Sequence, residues 1–172
     1  MKPAPFDYHA PTSLGEALRL RAELGSDSAI LAGGQSLVPM LNMRLARPSA
    51  LIDLNRIPEL SYIRSDAGGV AVGAMTRHRQ LELSEAANQV NPLLREALGY
   101  VAHTIVRNRG TIGGSIAHAD PAAELPSVLV ALGGRVKATG PTGAREIPAG
   151  DLFEFHFTTR SEERRVGKEC RL

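Results

Sequence analysis

The chain has 172 residues, of which 43% are hydrophobic, and this composition is sufficient for one core or for two small cores that share an interface. Its 20 Lys and Arg residues against 18 Asp and Glu residues give a formal net charge of +2, and no segment before residue 160 has the basic clustering that favours nucleic acid as a partner. Cys170 is the only cysteine, which excludes a disulfide framework, a cysteine-ligated iron–sulfur cluster and a zinc knuckle within the chain. The longest apolar run, at residues 128–132, is too short to span a bilayer and no signal core is present, so we expect a cytoplasmic protein.

The first third of the chain has the pattern of a β-α-β unit. The predicted elements are a helix at 13–24, a strand at 29–32, a helix from 36 to 47 and a strand at 50–54. Gly33 and Gly34 form a turn between the first of these strands and the second helix, and Pro48 stops that helix. An ordinary crossover makes the two strands parallel.

The pattern changes near residues 55–60, where we place a lobe boundary. It separates an N-terminal β/α lobe at residues 1–57 from a second α+β lobe at 58–160. In the second lobe we predict strands at 62–64, 69–73 and 135–138, helices at 76–85, 92–106 and 121–132, a second glycine turn at 111–115 and a hairpin turn at 140–143.

Residues 161–172 differ from everything before them, because they are charged and have no hydrophobic periodicity. Residues 164–171, Arg-Arg-Val-Gly-Lys-Glu-Cys-Arg, resemble a tail that recurs on unrelated environmental gene fragments. We therefore expect this tail to be non-native and to lie outside the fold; a genuine solvated tail is the alternative.

The first glycine turn, Ala32-Gly33-Gly34-Gln35-Ser36, has the features of an anion pocket. Glycines allow positive φ and a close approach of the backbone to a ligand, and successive N–H groups converge at the start of a helix. Gln35 and Ser36 add polar side chains that can donate to phosphate oxygens. A plain strand-to-helix connection explains this turn equally well.

The second glycine turn, at residues 111–115, repeats the same chemistry in the other lobe. Two such turns can hold one diphosphate between them, with the rest of a dinucleotide in the groove between the lobes. Neither turn has the spacing of a Rossmann fingerprint or of a P-loop, so both of these nucleotide folds are disfavoured.

The remaining polar candidates do not form a catalytic set. His78, His103 and His118 are scattered along the chain, and we expect His103 to pack within its helix. Asp120 either approaches a cofactor or caps the helix that follows it.

Three further charged residues have two interpretations each. Glu124 either accepts hydrogen bonds from ligand hydroxyls or is an ordinary acidic residue in a first helical turn. Arg107 and Arg109 either offset phosphate charge or cap the carbonyl end of the preceding helix.

Two segments together resemble the FAD loops of molybdenum hydroxylase flavoprotein (medium) subunits, of the aerobic carbon monoxide dehydrogenase and xanthine dehydrogenase type. The first is Ile-Leu-Ala-Gly-Gly-Gln-Ser-Leu-Val-Pro-Met at residues 30–40, and the second is Arg-Asn-Arg-Gly-Thr-Ile-Gly-Gly-Ser at residues 107–115. The resemblance extends from about Phe6 to Phe157, and it implies that the chain is truncated at its C-terminus.

The resemblance implies an α+β fold, the two-lobed FAD-binding domain of the vanillyl alcohol oxidase-like (PCMH) type. In this fold a small parallel β/α lobe is followed by a mainly antiparallel sheet lobe with flanking helices, and FAD lies between them. The two loops are expected to bind the diphosphate, Thr76 lies on a segment near the flavin, and Glu124 contacts FAD hydroxyls. The implied FAD-binding residues are Ala32, Gly33, Gly34, Gln35, Ser36, Thr76, Thr111, Ile112, Gly113, Gly114, Ser115 and Glu124, without catalytic residues or metal ligands.

The resemblance also implies an electron-transfer role. The flavin subunit accepts electrons from the [2Fe–2S] clusters of a small subunit, which receives them from a large molybdopterin subunit, and passes them to NAD, a quinone or oxygen. The implied assembly is a dimer of heterotrimers. A self-contained FAD-dependent oxidase of the same fold and a non-catalytic nucleotide-binding module are the two alternatives.

Overall fold

The computed structural model describes residues 2–66, 68–160 and 168–171, the last of these by their backbone alone. The first lobe contains β1 (Asp7–His9), α1 (Leu14–Leu24), β2 (Ser28–Leu31), α2 (Leu37–Asn42) and β3 (Ala50–Asp53). Its three strands form a parallel sheet in the order β1-β3-β2. The predicted parallel β-α-β unit is confirmed, and the structure adds β1, whose three residues have no apolar run that would reveal a strand.

The caps of α1 are as predicted, since the Ser13 side chain accepts the N–H of Glu16 and Gly25 ends the helix at φ 67°. Helix α2 ends at Asn42, five residues before the predicted stop. Arg44 takes a positive φ of 58°, which a helix does not tolerate.

The second lobe is built on a five-stranded antiparallel sheet in the order β4-β5-β10-β6-β7. Its strands are β4 (Ile63–Asp66), β5 (Gly69–Gly73), β6 (Arg135–Gly140), β7 (Gly143–Pro148) and β10 (Lys168–Arg171), and β8 (Phe153–Phe155) and β9 (Thr158–Thr159) form a separate pair. The helices are α3 (His78–Glu82), α4 (Glu85–Val90), α5 (Pro92–Tyr100), α6 (Thr104–Arg109), α7 (Ile112–His118), α8 (Glu124–Ala131) and α9 (Ala149–Leu152).

The position of β10 corrects the expectation that residues 161–172 lie outside the fold. Its backbone pairs with β5 on one side and with β6 on the other. Ladder hydrogen bonds use main-chain groups, so a segment without hydrophobic periodicity can still complete a sheet between two strands that need partners. Residues 161–167 and 172 lie outside the described part of the chain, and the non-native origin of the tail stays a prediction.

The single helix predicted at 92–106 is wrong, because the structure has two helices there. Ala102 takes a φ of 41° between α5 and α6, and this reorientation leaves Ile105 80% exposed. His103 precedes α6 and is exposed, so it does not pack within a helix as expected.

The helix predicted from residue 121 begins at Glu124, since the Asp120 carboxylate accepts the N–H of Ala122 in a preceding turn.

Two clusters of buried apolar side chains underlie the two sheets. The first includes Ala17 and Ile52, and the second includes Val72, Leu98 and Leu129. The lobe boundary near residues 55–60 remains a prediction. Among the helices of the described ranges, none combines the length and the apolar character needed to cross a membrane.

Candidate functional site

The two glycine segments predicted from the sequence meet across the seam between the lobes. A Cβ atom on Gly33 would lie 2.5 Å from the carbonyl oxygen of Arg109 and 2.9 Å from the Cα of Gly110. A Cβ on Gly114 would lie 3.6 Å from the Cβ of Ala32. The backbones therefore approach to a distance that only glycine permits at residue 33.

The first glycine loop, residues 32–36, carries backbone donors without internal partners. The N–H groups of Gly34, Gln35 and Ser36 have no acceptor within the described residues. Gly34 has a φ of 73°, and this left-handed conformation turns the chain from β2 into α2. The Gln35 side chain donates to the carbonyl oxygen of Gly33 at 3.2 Å, and the exposed Ser36 hydroxyl does not cap the helix.

A cavity of about 450 Å³ opens beside this loop. It is lined by Leu31, Ala32, Gly33, Gly34, Gln35, Val38, Pro39, Asp53, Asn55 and Arg109. The lining combines apolar side chains, free backbone donors, one exposed guanidinium group and the carboxylate of Asp53, which accepts hydrogen bonds from Tyr8 and Asn55. With that carboxylate engaged, the free donors and the guanidinium group suit an anionic ligand with an apolar part.

The second glycine segment differs from its prediction, because it forms the start of helix α7 and the N–H groups of residues 112–115 already have acceptors. Thr111 caps this helix and accepts the N–H of Gly114 at 3.2 Å. The N–H groups of Ile112 and Gly113 donate to the carbonyl oxygens of Thr76 and Ala74 at 3.0 and 2.9 Å. The similarity of the two sequences therefore does not extend to their hydrogen bonding, because three consecutive N–H groups are free in the first loop, whereas those of residues 112–115 are all bonded within the described part of the chain.

Asn55 and Arg77 connect the two segments. The Asn55 side-chain amide donates to the carbonyl oxygen of Ala32 at 2.9 Å and to the Asp53 carboxylate at 2.5 Å. The Arg77 guanidinium donates to the Asn55 side-chain oxygen and to the carbonyl oxygen of Arg109, each at 2.6 Å. One chain of hydrogen bonds thus runs from the first loop to the end of α6.

His78 supports the second segment from within the protein and is only 3% exposed. Its Nε2 lies 3.0 Å from the carbonyl oxygen of Thr111 and 2.9 Å from the Ser115 hydroxyl. A carbonyl oxygen can only accept, so the hydrogen is assigned to Nε2. The bare Nδ1 is buried and has no partner within the described residues. Burial lowers the pKa of the His78 imidazole below its ordinary value of 6.5, because protonation would place an unpaired N–H in the interior.

The other predicted site residues lie outside the cavity lining. Thr76 is buried, and its hydroxyl donates to the carbonyl oxygen of Tyr62 at 2.9 Å. Ile112 is part of the second core cluster. Glu124 is half-buried and is the first residue of α8. Its carboxylate forms no hydrogen bond with any described residue.

The two arginines before the second segment have different roles. Arg107 is buried, forms a salt bridge with Glu82 at 3.0 Å and donates to the carbonyl oxygens of Val101 and Ala102, so the helix-end interpretation applies to it. Arg109 is exposed and lines the cavity, which favours the phosphate interpretation.

Sequence reasoning missed Asp53 and Asn55 as parts of the site. Asp53 ends β3, which neighbours β2 in the parallel sheet. Residues after the carboxyl ends of adjacent parallel strands lie together. This rule could have predicted that Asp53 and Asn55 lie beside the first glycine loop. Arg77 has no comparable signal, because its partners depend on how the lobes meet.

Comparison with known protein families gives one match over most of the chain. The model described as the FAD binding domain in molybdopterin dehydrogenase matches residues 4–168. The chain is 52% identical over 159 residues to the 6-hydroxypseudooxynicotine dehydrogenase complex subunit alpha of Paenarthrobacter nicotinovorans, covering 92% of this chain and 54% of that protein. It is 46% identical over 172 residues to the carbon monoxide dehydrogenase medium chain of Hydrogenophaga pseudoflava, covering 100% of this chain and 60% of that protein. The chain thus spans 54–60% of the length of these relatives.

Solved structures show the same fold. A carbon monoxide dehydrogenase from Hydrogenophaga pseudoflava, lacking the Mo-pyranopterin moiety of its cofactor, matches with a TM-score of 0.95 and 45% identity over 99% of this chain and 60% of that chain. Quinoline 2-oxidoreductase from Pseudomonas putida 86 matches with a TM-score of 0.93 and 40% identity over the same shares. The predicted two-lobed α+β fold and the prediction of FAD as the cofactor are confirmed.

The contact at Gly33 gives a first testable prediction. Gly33→Ala places a methyl group against the Arg109 carbonyl, so we expect it to lower the free energy of unfolding by about 1–3 kcal/mol. Gly99→Ala is the matched control, because nothing lies within 4 Å of its added Cβ in helix α5, and this change should stabilise the chain by up to about 1 kcal/mol. Urea unfolding measures both, and equal stability of the two variants would contradict the close approach.

A second prediction concerns the pH dependence of stability. The unfolded chain protonates His78 near its ordinary pKa of 6.5, whereas the folded chain does so only at lower pH. The contribution of His78 is therefore fully present above pH 6.5 and is lost as the pH falls through the folded pKa. We expect His78→Asn to reduce the slope of the free energy of unfolding against pH in this window. The exposed His103 serves as the control through His103→Asn, and identical slopes for both variants would refute the prediction.

Proposed function

This chain belongs to the family of FAD-binding domains found in molybdopterin dehydrogenases, and we propose that it forms the FAD-binding part of an electron-transfer subunit in a molybdenum hydroxylase complex. The observation that carries the proposal is the first glycine loop, which has free N–H groups and lines a cavity together with Arg109. Because the chain spans little more than half of its relatives, the activity of the whole subunit is part of the proposal.

The residues at the seam fit the diphosphate of FAD. Backbone N–H groups at residues 34–36 can donate to phosphate oxygens, and the positive φ of Gly34 presents them together. Arg109 adds a positive charge to the same cavity. The apolar side chains of Leu31, Val38 and Pro39 provide a surface for an uncharged portion of the ligand.

The second segment has a different part in this proposal. The N–H groups of residues 112–115 are bonded within the protein, so Gly113 and Gly114 act by allowing close packing rather than by donating. A Cβ on Gly113 would lie 2.6 Å from the Cβ of Ala74, and that packing places α7 against the seam. Thr76 and Ser115 then position this helix through Ile112 and His78, and Glu124 remains a proposed partner of FAD hydroxyls.

The electron-transfer role rests on the relatives. Two of them are named as a dehydrogenase complex subunit and a dehydrogenase medium chain, which supports a chain that works within an assembly. Bound FAD supplies the capacity to take up and release one or two electrons. We propose that the subunit receives electrons from the [2Fe–2S] clusters of a small subunit beside a molybdopterin large subunit, in a dimer of heterotrimers, and delivers them to NAD, a quinone or oxygen.

A direct test is FAD binding by the purified chain. We expect a flavin absorption band at one FAD per chain, and competition by ADP, which shares the diphosphate. Gly34→Val should weaken binding by about tenfold or more, because a β-branched residue resists positive φ. Gly99→Val, of the same size change on an exposed helix face, should bind as the unsubstituted chain does.

Equal FAD affinity in the two variants would remove the first loop from the site. Absence of FAD binding by the unsubstituted chain would contradict the proposed function of this part of the protein. Flavin reduction by a simple substrate without any partner subunit would instead favour the self-contained oxidase.

A further inference from the structure

Arg77 carries a positive charge at the seam without a carboxylate to neutralise it directly. Among the described residues, neither Arg77 nor Arg109 forms a salt bridge. Burial, and secondly the neighbouring charge of Arg109, lowers the pKa of the Arg77 guanidinium, while the charge of Asp53 opposes this shift. Two like charges are thus held close together, with Arg109 on the cavity lining and Arg77 behind it, and an anion bound beside Arg109 would relieve their repulsion.

The two residues that accept hydrogen bonds from the Arg77 side chain both line the cavity. One nitrogen donates to the Asn55 side chain and the other donates to the Arg109 carbonyl, which is also the atom that faces Gly33 most closely. The main chain of Arg77 forms an antiparallel bridge with Thr111 at the start of α7. Arg77 therefore contacts the second segment through both its side chain and its backbone.

Asn55 fixes the other end of this connection. Its amide nitrogen donates to the Ala32 carbonyl, and its backbone and side-chain nitrogens both donate to the Asp53 carboxylate. These bonds leave the Asn55 oxygen facing Arg77. The orientation of the Asn55 amide is thereby set by acceptors on one side and a donor on the other.

We propose that Asn55 and Arg77 are positioning residues that set the spacing between the two glycine segments, and so the affinity of the cavity for the diphosphate of FAD. This inference rests on the proposed function. It adds that the free N–H groups of the first loop are held in place by an arginine of the other lobe, and that this arginine contributes its charge to the same anion.

Three substitutions separate positioning from charge. Arg77→Met removes both hydrogen bonds and the charge, whereas Arg77→Lys keeps the charge on a single nitrogen that cannot bridge both acceptors as the planar guanidinium does. Asn55→Leu removes the donor to the Ala32 carbonyl and the acceptor for Arg77 without changing the charge of the site. Arg79→Met is the matched control, since Arg79 lies two residues further on, pairs with Glu82 and is partly exposed.

The measurement is the dissociation constant of the 172-residue chain for FAD and for ADP, together with hydrogen exchange of the first loop without ligand. We expect Arg77→Met, Arg77→Lys and Asn55→Leu each to weaken FAD and ADP binding by about tenfold or more and to speed exchange at residues 33–37. Arg79→Met should stay within about twofold of the unsubstituted chain. If Arg77→Lys binds as weakly as Arg77→Met although it keeps the positive charge, the role of Arg77 is positioning.

The outcomes that overturn the inference are distinct from those that overturn the function. If the unsubstituted chain binds FAD and Arg77→Met binds it within about twofold, the inference is wrong and the proposed function stands. The same holds if Arg77→Lys restores full affinity or if Arg79→Met loses as much as Arg77→Met, since a general charge effect would then suffice. If the unsubstituted chain does not bind FAD, both the function and this inference fail.

Discussion

The contact between Gly33 and the Arg109–Gly110 backbone is the constraint on which the seam between the lobes depends. A Cβ atom at Gly33 would overlap the Arg109 carbonyl, so the two main chains can meet only where a side chain is missing. The contact is reinforced on one side by the hydrogen bonds of Asn55 and Arg77. On the other side, Gly110 packs against the buried ring of His78.

This arrangement divides the work between two segments of similar sequence. The first loop keeps its N–H groups free because they lie just before α2, where the helical hydrogen-bond pattern provides no acceptor for them. In the second segment, the N–H groups of residues 112–115 donate to Thr111 and to the strand-to-helix connection at residues 74–76. A rigid second segment gives the first loop a fixed surface to face, and rigid support lowers the entropy cost of binding.

The sheet of the second lobe shows that a strand can form without a hydrophobic pattern in its side chains. The backbone at residues 168–171 occupies the place between β5 and β6, although its residues have no alternating pattern. Main-chain pairing supplied that strand, and periodicity could not predict it. The break between α5 and α6 is a comparable case, because Ala102 adopts a positive φ. Alanine rarely takes this conformation, so the residue type does not predict the break.

The sequence by itself determined the features that depend on neighbouring residues. The capped helix α1, the parallel β-α-β unit, the hairpin of β6 and β7 and both glycine motifs follow from local backbone preferences and short-range periodicity. Tertiary structure alone decided which N–H groups remain free and that Arg77 joins Asn55 to the Arg109 carbonyl, partners 22 and 32 residues away along the chain. Those contacts depend on how the two lobes pack, and the order of residues within either lobe carries no record of that packing.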